Sequence, residues 1–201
     1  MKRSIGVFLL VAAATWNLFA QIPDAQASGW KLDKSHSKIG FTVKHMVISE
    51  VQGYFKDFDI TINSSKDDFS DGQAEAVIKV ATINTESEVR DKDLRSDNFF
   101  NVEQFPEIRF KSTKFEKLGD NIYKIYGDLT IRDTTKQVVF DVVHNGTLKT
   151  GRGLMSAWKV TLSINRFDYG LKWNRLMETG GLVVGELVNI TMTLELRKAA
   201  A

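Results

Sequence analysis

No cysteine occurs among the 201 residues, and proline occurs only twice. Without cysteine there is no disulfide scaffold, thiolate zinc site, cysteine nucleophile or lipid-anchored N-terminal cysteine, so stability must come from burial. Charge of one sign is gathered nowhere: 27 basic side chains are set against 25 acidic ones, for a formal charge of +2. A counterion-releasing grip on nucleic acid therefore has no visible basis. Beyond the N-terminal region no apolar run approaches the ~20 residues that a helical membrane span needs. What is present is a globular composition, 43% apolar and 26% charged.

The first 27 residues read as an address. Lys2 and Arg3 give a positive start, Ile5 to Ala14 an almost uninterrupted apolar stretch, and Ala25-Gln26-Ala27 a small-x-small cleavage signal. Asn17, Gln21, Pro23 and Asp24 interrupt the apolar run before it is long enough to span a bilayer. The expectation is a secretory signal peptide over 1–27, cleaved after Ala27, and one periplasmic or secreted domain over 28–201 with no transmembrane anchor.

The remainder has a period of two. Ile39, Phe41 and Val43 alternate with Gly40, Thr42 and Lys44, and Ala74, Ala76, Ile78 and Val80 continue the pattern. The strongest runs come late: Val138, Phe140, Val142; Trp158, Val160, Leu162, Ile164; Ile190, Met192, Leu194, Leu196. One dry and one wet face indicate antiparallel strands, since parallel strands covered on both sides are apolar throughout. The apolar parity changes between Phe55 and Phe58, which predicts a bulge near Lys56 and Asp57. Turn signals fall at Asn63–Lys66, Leu118–Asn121, Arg132–Thr135 and His144–Gly146. One helical segment is expected over Ser87–Phe100, with Ser87 as its cap. The fold class is all-β, with about eight antiparallel strands; periodicity alone fits a barrel and a sandwich equally.

The order of the blocks then becomes informative. The stretch 30–46, with Trp30, Asp33, His36, Ser37, Gly40, Phe41, His45 and Met46, is followed by Val51, Gly53 and Phe55. Arg90, Asp91, Asp93, Leu94, Arg95, Ser96, Phe99, Phe100, Pro106 and Phe110 come next, then Gly127 and Leu129. Asn165, Arg166, Asp168, Tyr169 and Gly170, and the closing Gly181, Val184, Gly185 and Val188, complete the series. Over 30–197 this resembles the YceI-like family. The resemblance implies an exported, lipocalin-like barrel whose apolar cavity holds a polyisoprenoid, an isoprenoid quinone or another amphiphilic lipid, with no cofactor required. Asp93 stands where the resemblance leads one to expect His, and Asp133 replaces a turn glycine.

An apolar tube needs inward aromatic and branched side chains. Phe41, Val43, Phe55, Ile78, Phe99, Phe100, Phe110, Leu129, Phe140, Trp158, Val160, Leu162, Ile190 and Met192 are the candidates. Each is equally explained as ordinary core. His36, His45, Arg166 and Asp168 are candidates for polar contacts to a headgroup or for structural roles. The spacing of His36, His45 and His144 fits no compact metal motif, so no metal is expected. No Gly-x-Ser-x-Gly elbow occurs, and Asp33, Ser35, His36 and Ser37 lie too close together on one segment for a triad, so no catalytic residue is assigned. Three function classes remain at this stage: a lipid carrier, an enzyme acting on such a lipid, and a packed structural or stress-response barrel. Pairing of two barrels over a long ligand is left open.

Overall fold

A computed structural model describes residues 29–178 and 180–198. The expected signal peptide lies outside these residues. Eleven strand segments occur among them: β1 (Trp30–Leu32), β2 (Lys38–His45), β3 (Ser49–Phe55), β4 (Phe58–Asn63), β5 (Gln73–Lys79), β6 (Ile83–Asn84), β7 (Glu107–Lys117), β8 (Ile122–Ile131), β9 (Thr134–Thr150), β10 (Gly153–Asn165) and β11 (Val184–Lys198). One α-helix, α1 (Glu88–Arg95), lies between β6 and β7.

The strands close into an antiparallel barrel. β4, β5, β7, β8, β9, β10 and β11 pair in succession, and β11 returns to β2 and, through Lys31↔Arg197 and Leu32↔Leu196, to β1. The first two long strands are each broken once. A 3-10 turn at Lys34–His36 separates β1 from β2, and Lys56-Asp57 separates β3 from β4. With β1–β2 and β3–β4 each counted as one, and the short β6 as an appendage on β3, the barrel has eight strands.

Alternation dictates the register. Trp158, Val160, Leu162 and Ile164 of β10 lie opposite Leu194, Met192, Ile190 and Val188 of β11, so the apolar residues of both strands share the inner face. A slip of one residue would turn that face to water. The parity change near Lys56 has its expected cause: the Lys56 amide donates to Thr82 O at 3.2 Å and the Asp57 amide to Thr82 Oγ1 at 3.1 Å. The two residues step out of the ladder, and Phe55 and Phe58 both end up buried.

Two expectations are corrected. The helix runs only from Glu88 to Arg95, because Ser96 ends it by turning its amide and hydroxyl back onto Asp93 O. Ser96, Asp97 and Asn98 favour such local bonds over helix. The His144-Asn145-Gly146 signal is a bulge inside β9 rather than a turn: the register shifts opposite Ala157 and Trp158, with Gly146 at φ 129°. Glycine within a strand marks such bulges, and this one brings His144 against Trp158.

Candidate functional site: a blind apolar tunnel

The inner faces of the strands leave free space along the barrel. The deepest part is a chamber of about 100 Å³ bounded only by apolar residues. Phe110, Phe140, Ile78, Leu129, Trp158, Val160, Ile190 and Met192 line it, as do Phe41 and Phe55. The Phe110 and Phe140 rings meet edge to face at 5.0 Å. With no hydrogen-bonding wall, such a space stays dry.

Aromatic rings close the far end. Phe69, on the loop after β4, packs 5.3 Å from Trp30 and 4.8 Å from Trp158, while His144 stacks on Trp158 at 4.2 Å. The loop is pinned by Tyr123, whose hydroxyl donates to Asp68 O at 2.8 Å, and by Asp71, which accepts from Ser64 Oγ at 2.6 Å and from Ser65. These bonds hold the Asp71 carboxyl well below its usual pKa. Burial lowers the pKa of His144, with Lys117 adding in the same direction; the ring Nε2 lies 3.0 Å from Ser156 Oγ and 3.1 Å from Thr147 Oγ1.

Toward the other end the chamber continues into a throat of about 100 Å³, sharing Phe41, Phe55, Ile108, Ile131 and Ile190 with it. Phe99, Phe100, Leu94 and Val43 frame the throat. Beyond it a mouth of about 550 Å³ opens, sharing Phe41, Val43, Leu94, Phe99 and Val184 with the throat. Here polar groups appear for the first time as a set: Lys44, His45, Thr85, Ser87, Arg90 and Asp93. The wall that carries four of them is built locally. Asp91, buried, accepts from the Thr85 amide at 2.8 Å and from its hydroxyl at 2.6 Å, while Arg90 donates to Thr85 Oγ1 and O, each at 2.8 Å. Asp93 accepts from Asn98 Nδ2 at 3.0 Å.

Thirteen of the fourteen apolar candidates border this continuous space; Leu162 packs on the core without lining it. His45 lies at the mouth. The other three polar candidates are engaged elsewhere. Arg166 is buried beside the throat, but its guanidinium is consumed by the backbone: Nε donates to Gly185 O (2.8 Å), Nη1 to Leu171 O (2.6 Å) and Trp173 O (2.7 Å), and Nη2 to Val184 O (3.0 Å). Asp168 is exposed and pairs with Lys136 at 3.3 Å. His36 sits outside the barrel by Asp33 and Glu195, whose carboxylates Arg197 bridges at 2.6 and 2.8 Å. Sequence reasoning missed Trp173, which packs 5.6 Å from Phe99 at the mouth; it lies in a loop where no periodicity signals an inward side chain.

The YceI-like domain family matches residues 30–196. The chain belongs to the YceI-like family. A UPF0312 protein of Staphylococcus aureus strain N315 is 35% identical over 170 residues, 84% of this chain and 96% of that protein. A YceI protein of Campylobacter jejuni superposes with a TM-score of 0.67 at 30% identity, covering 84% of this chain and 97% of that one. A polyisoprenoid binding domain from Saccharophagus degradans, implicated in plant cell wall breakdown, shares the fold at a TM-score of 0.61 and 16% identity, over 84% of this chain and 98% of its own.

Proposed function

We propose that this member of the YceI-like family is an exported carrier that holds one amphiphilic lipid, a polyisoprenoid or isoprenoid quinone, with its tail in the barrel and its headgroup at the mouth. The observation that supports this reading most is the polarity gradient: an all-apolar chamber, an apolar throat beside Arg166, which donates four bonds to the backbone, and a mouth with six polar side chains. Each methylene moved from water into the chamber contributes ~0.8 kcal/mol, so a few isoprene units offset the cost of immobilising the chain. The mouth then needs only a few groups to select a headgroup. Export through the 1–27 segment would place the carrier between membranes.

The Saccharophagus degradans domain, named for polyisoprenoid binding, lends this reading support at the level of the fold. The test is mass spectrometry of the protein purified from its native compartment, first under non-denaturing conditions and then after organic extraction. A stoichiometric adduct whose extracted mass steps by isoprene units, or carries a quinone signature, is the expected result. An apo mass from native material, together with no binding of fluorescent isoprenoid analogues at micromolar concentration, overturns the reading in favour of a packed barrel.

A further inference from the structure

The most exposed apolar side chains near the barrel opening are not scattered. The hairpin between β2 and β3 turns through Met46, Val47 and Ile48, which are 46, 62 and 90% exposed. In the adjoining loop before β11, Leu176 is 72% exposed, and Val89 of α1, itself a wall of the mouth, is 83% exposed. The hairpin and the loop are tied together. The Met46 amide donates to Val183 O at 2.9 Å, Val47 lies against Gly181, and Leu176 bridges to Leu182. Three separate elements thus raise apolar side chains around one opening.

The hairpin tip is also built against local preference. Met46 and Val47 hold φ of 50° and 67°, a region that costs most for a β-branched residue, and no glycine relieves the turn. Strain of this kind persists where something other than stability is served. A side chain with nine-tenths of its surface in water, like Ile48, protrudes from the rim.

We propose that the rim of Met46, Val47, Ile48, Val89 and Leu176 seats the tunnel mouth in the outer layer of a lipid bilayer, so that an amphiphile passes between membrane and barrel without crossing water. The proposal rests on the carrier reading. The aromatic plug at the far end leaves the mouth as the way in, and the source of a long-tailed lipid is a bilayer. Charge around the rim is mixed: Lys44 pairs with Glu50 at 2.8 Å, and Arg90 and Asp93 both line the mouth. Attachment is therefore by apolar insertion and depends little on anionic lipid or salt.

The experiment is flotation of the purified protein with phosphatidylcholine vesicles, alongside transfer of a fluorescent isoprenoid analogue between donor and acceptor vesicles. Wild type is expected to float, at low and high salt alike, and to transfer at a rate that rises with acceptor concentration. Ile48→Asp combined with Leu176→Asp should cut both flotation and transfer by about tenfold or more, since attachment scales with buried apolar area. Analogue binding in vesicle-free solution should not change. Val47→Asp, at a rim residue outside the mouth lining and at a left-handed φ that Asp tolerates better than Val, should act in the same direction and serves as the second variant if the first folds poorly. The proposal is overturned if wild type does not float, if the variants float equally well, or if sedimentation shows a dimer that Ile48→Asp dissociates, which would assign the rim to a second copy. Flotation by a protein that binds no analogue in vesicle-free solution would instead remove the carrier reading and leave only a docking surface.

Discussion

The Phe41 ring lies where a side chain at Gly53 would be: a Cβ on Gly53 would overlap Phe41 Cζ and fall 2.8 Å from Thr85 Cγ2. The two residues are direct partners across β2 and β3, and Phe41 borders the chamber, the throat and the mouth. Glycine at position 53 thus lets an aromatic ring flatten against the wall instead of standing in the tunnel.

Gly53→Ala should push that ring inward. The expected outcome is weaker uptake of a fluorescent isoprenoid analogue, together with a loss of stability of ~1–3 kcal/mol from overpacking. Gly53→Ala with Phe41→Leu should recover uptake. Titration of delipidated protein reads the first effect and urea unfolding the second, because bound lipid would itself raise apparent stability.

Tail length should be set at the chamber. Ala76 lies on its wall between Ile60 and Phe110 of the neighbouring strands, where a larger side chain takes space from the end of the tail. Ala76→Leu should exclude about two methylenes, ~1.6 kcal/mol or somewhat more than tenfold in affinity, for analogues long enough to reach it. Shorter analogues should bind as before. A uniform loss across chain lengths would show that the chamber does not hold the tail.

Arg166 should prove structural. Arg166→Met leaves four backbone carbonyls without their donor and should cost about 3 kcal/mol in urea unfolding, given ~1–3 kcal/mol for a buried group left unpaired and incomplete additivity. Arg166→Lys, with one compact donor head, should restore only part. Two analogues with the same tail and different headgroups should shift in affinity together. A selective effect on one headgroup would return Arg166 to the binding site.

Acid should loosen the closed end before it reaches the outer carboxylates. The folded pKa of His144 lies below its usual 6.5, chiefly through burial, so the fold favours the neutral ring. Its contribution is complete above that value and falls as pH drops from there toward the folded pKa. His144→Gln, which keeps a polar partner for Ser156 and Thr147, should remove this limb from a stability profile taken between about pH 7 and 5. The Asp33 carboxyl is depressed by the Ser35 hydroxyl first and by Arg197 next, so its contribution is lost only below the usual 3.8. The two windows are separable in one series of melts.

The antiparallel strands and most of the tunnel lining are legible because alternation is a local property, whereas their closure into a barrel follows from the family resemblance and not from periodicity. Trp158, Val160 and Ile164 announce their inward face within one run of sequence, and the parity change at Lys56-Asp57 marks a real break in the ladder. What escaped was set by contacts distant along the chain. Gly146 reads as a turn residue and becomes a bulge because β10 continues past it. Arg166 reads as a headgroup contact or a structural group alike, and its use appears only when the backbone of residues 171–185 folds around it. Phe69, in a polar loop without periodicity, becomes the plug by reaching Trp30 and Trp158. The mouth belongs to the same class, since Lys44, Arg90 and Trp173 come from three elements that only the closed barrel brings together.

The plug of Phe69 and its neighbours makes the tube a cul-de-sac, and that fixes the order of events for whatever occupies it. An amphiphile held as proposed would enter tail first and leave by reversing, headgroup ahead, so a protein receiving it would meet the headgroup before the chain. Every further methylene drawn past Phe41 must be withdrawn again, and at ~0.8 kcal/mol each would slow departure by about fourfold if that cost falls on release. The barrel would then keep time as well as cargo: short chains exchange quickly, long ones are retained, and dwell time reports the length of the hydrocarbon inside.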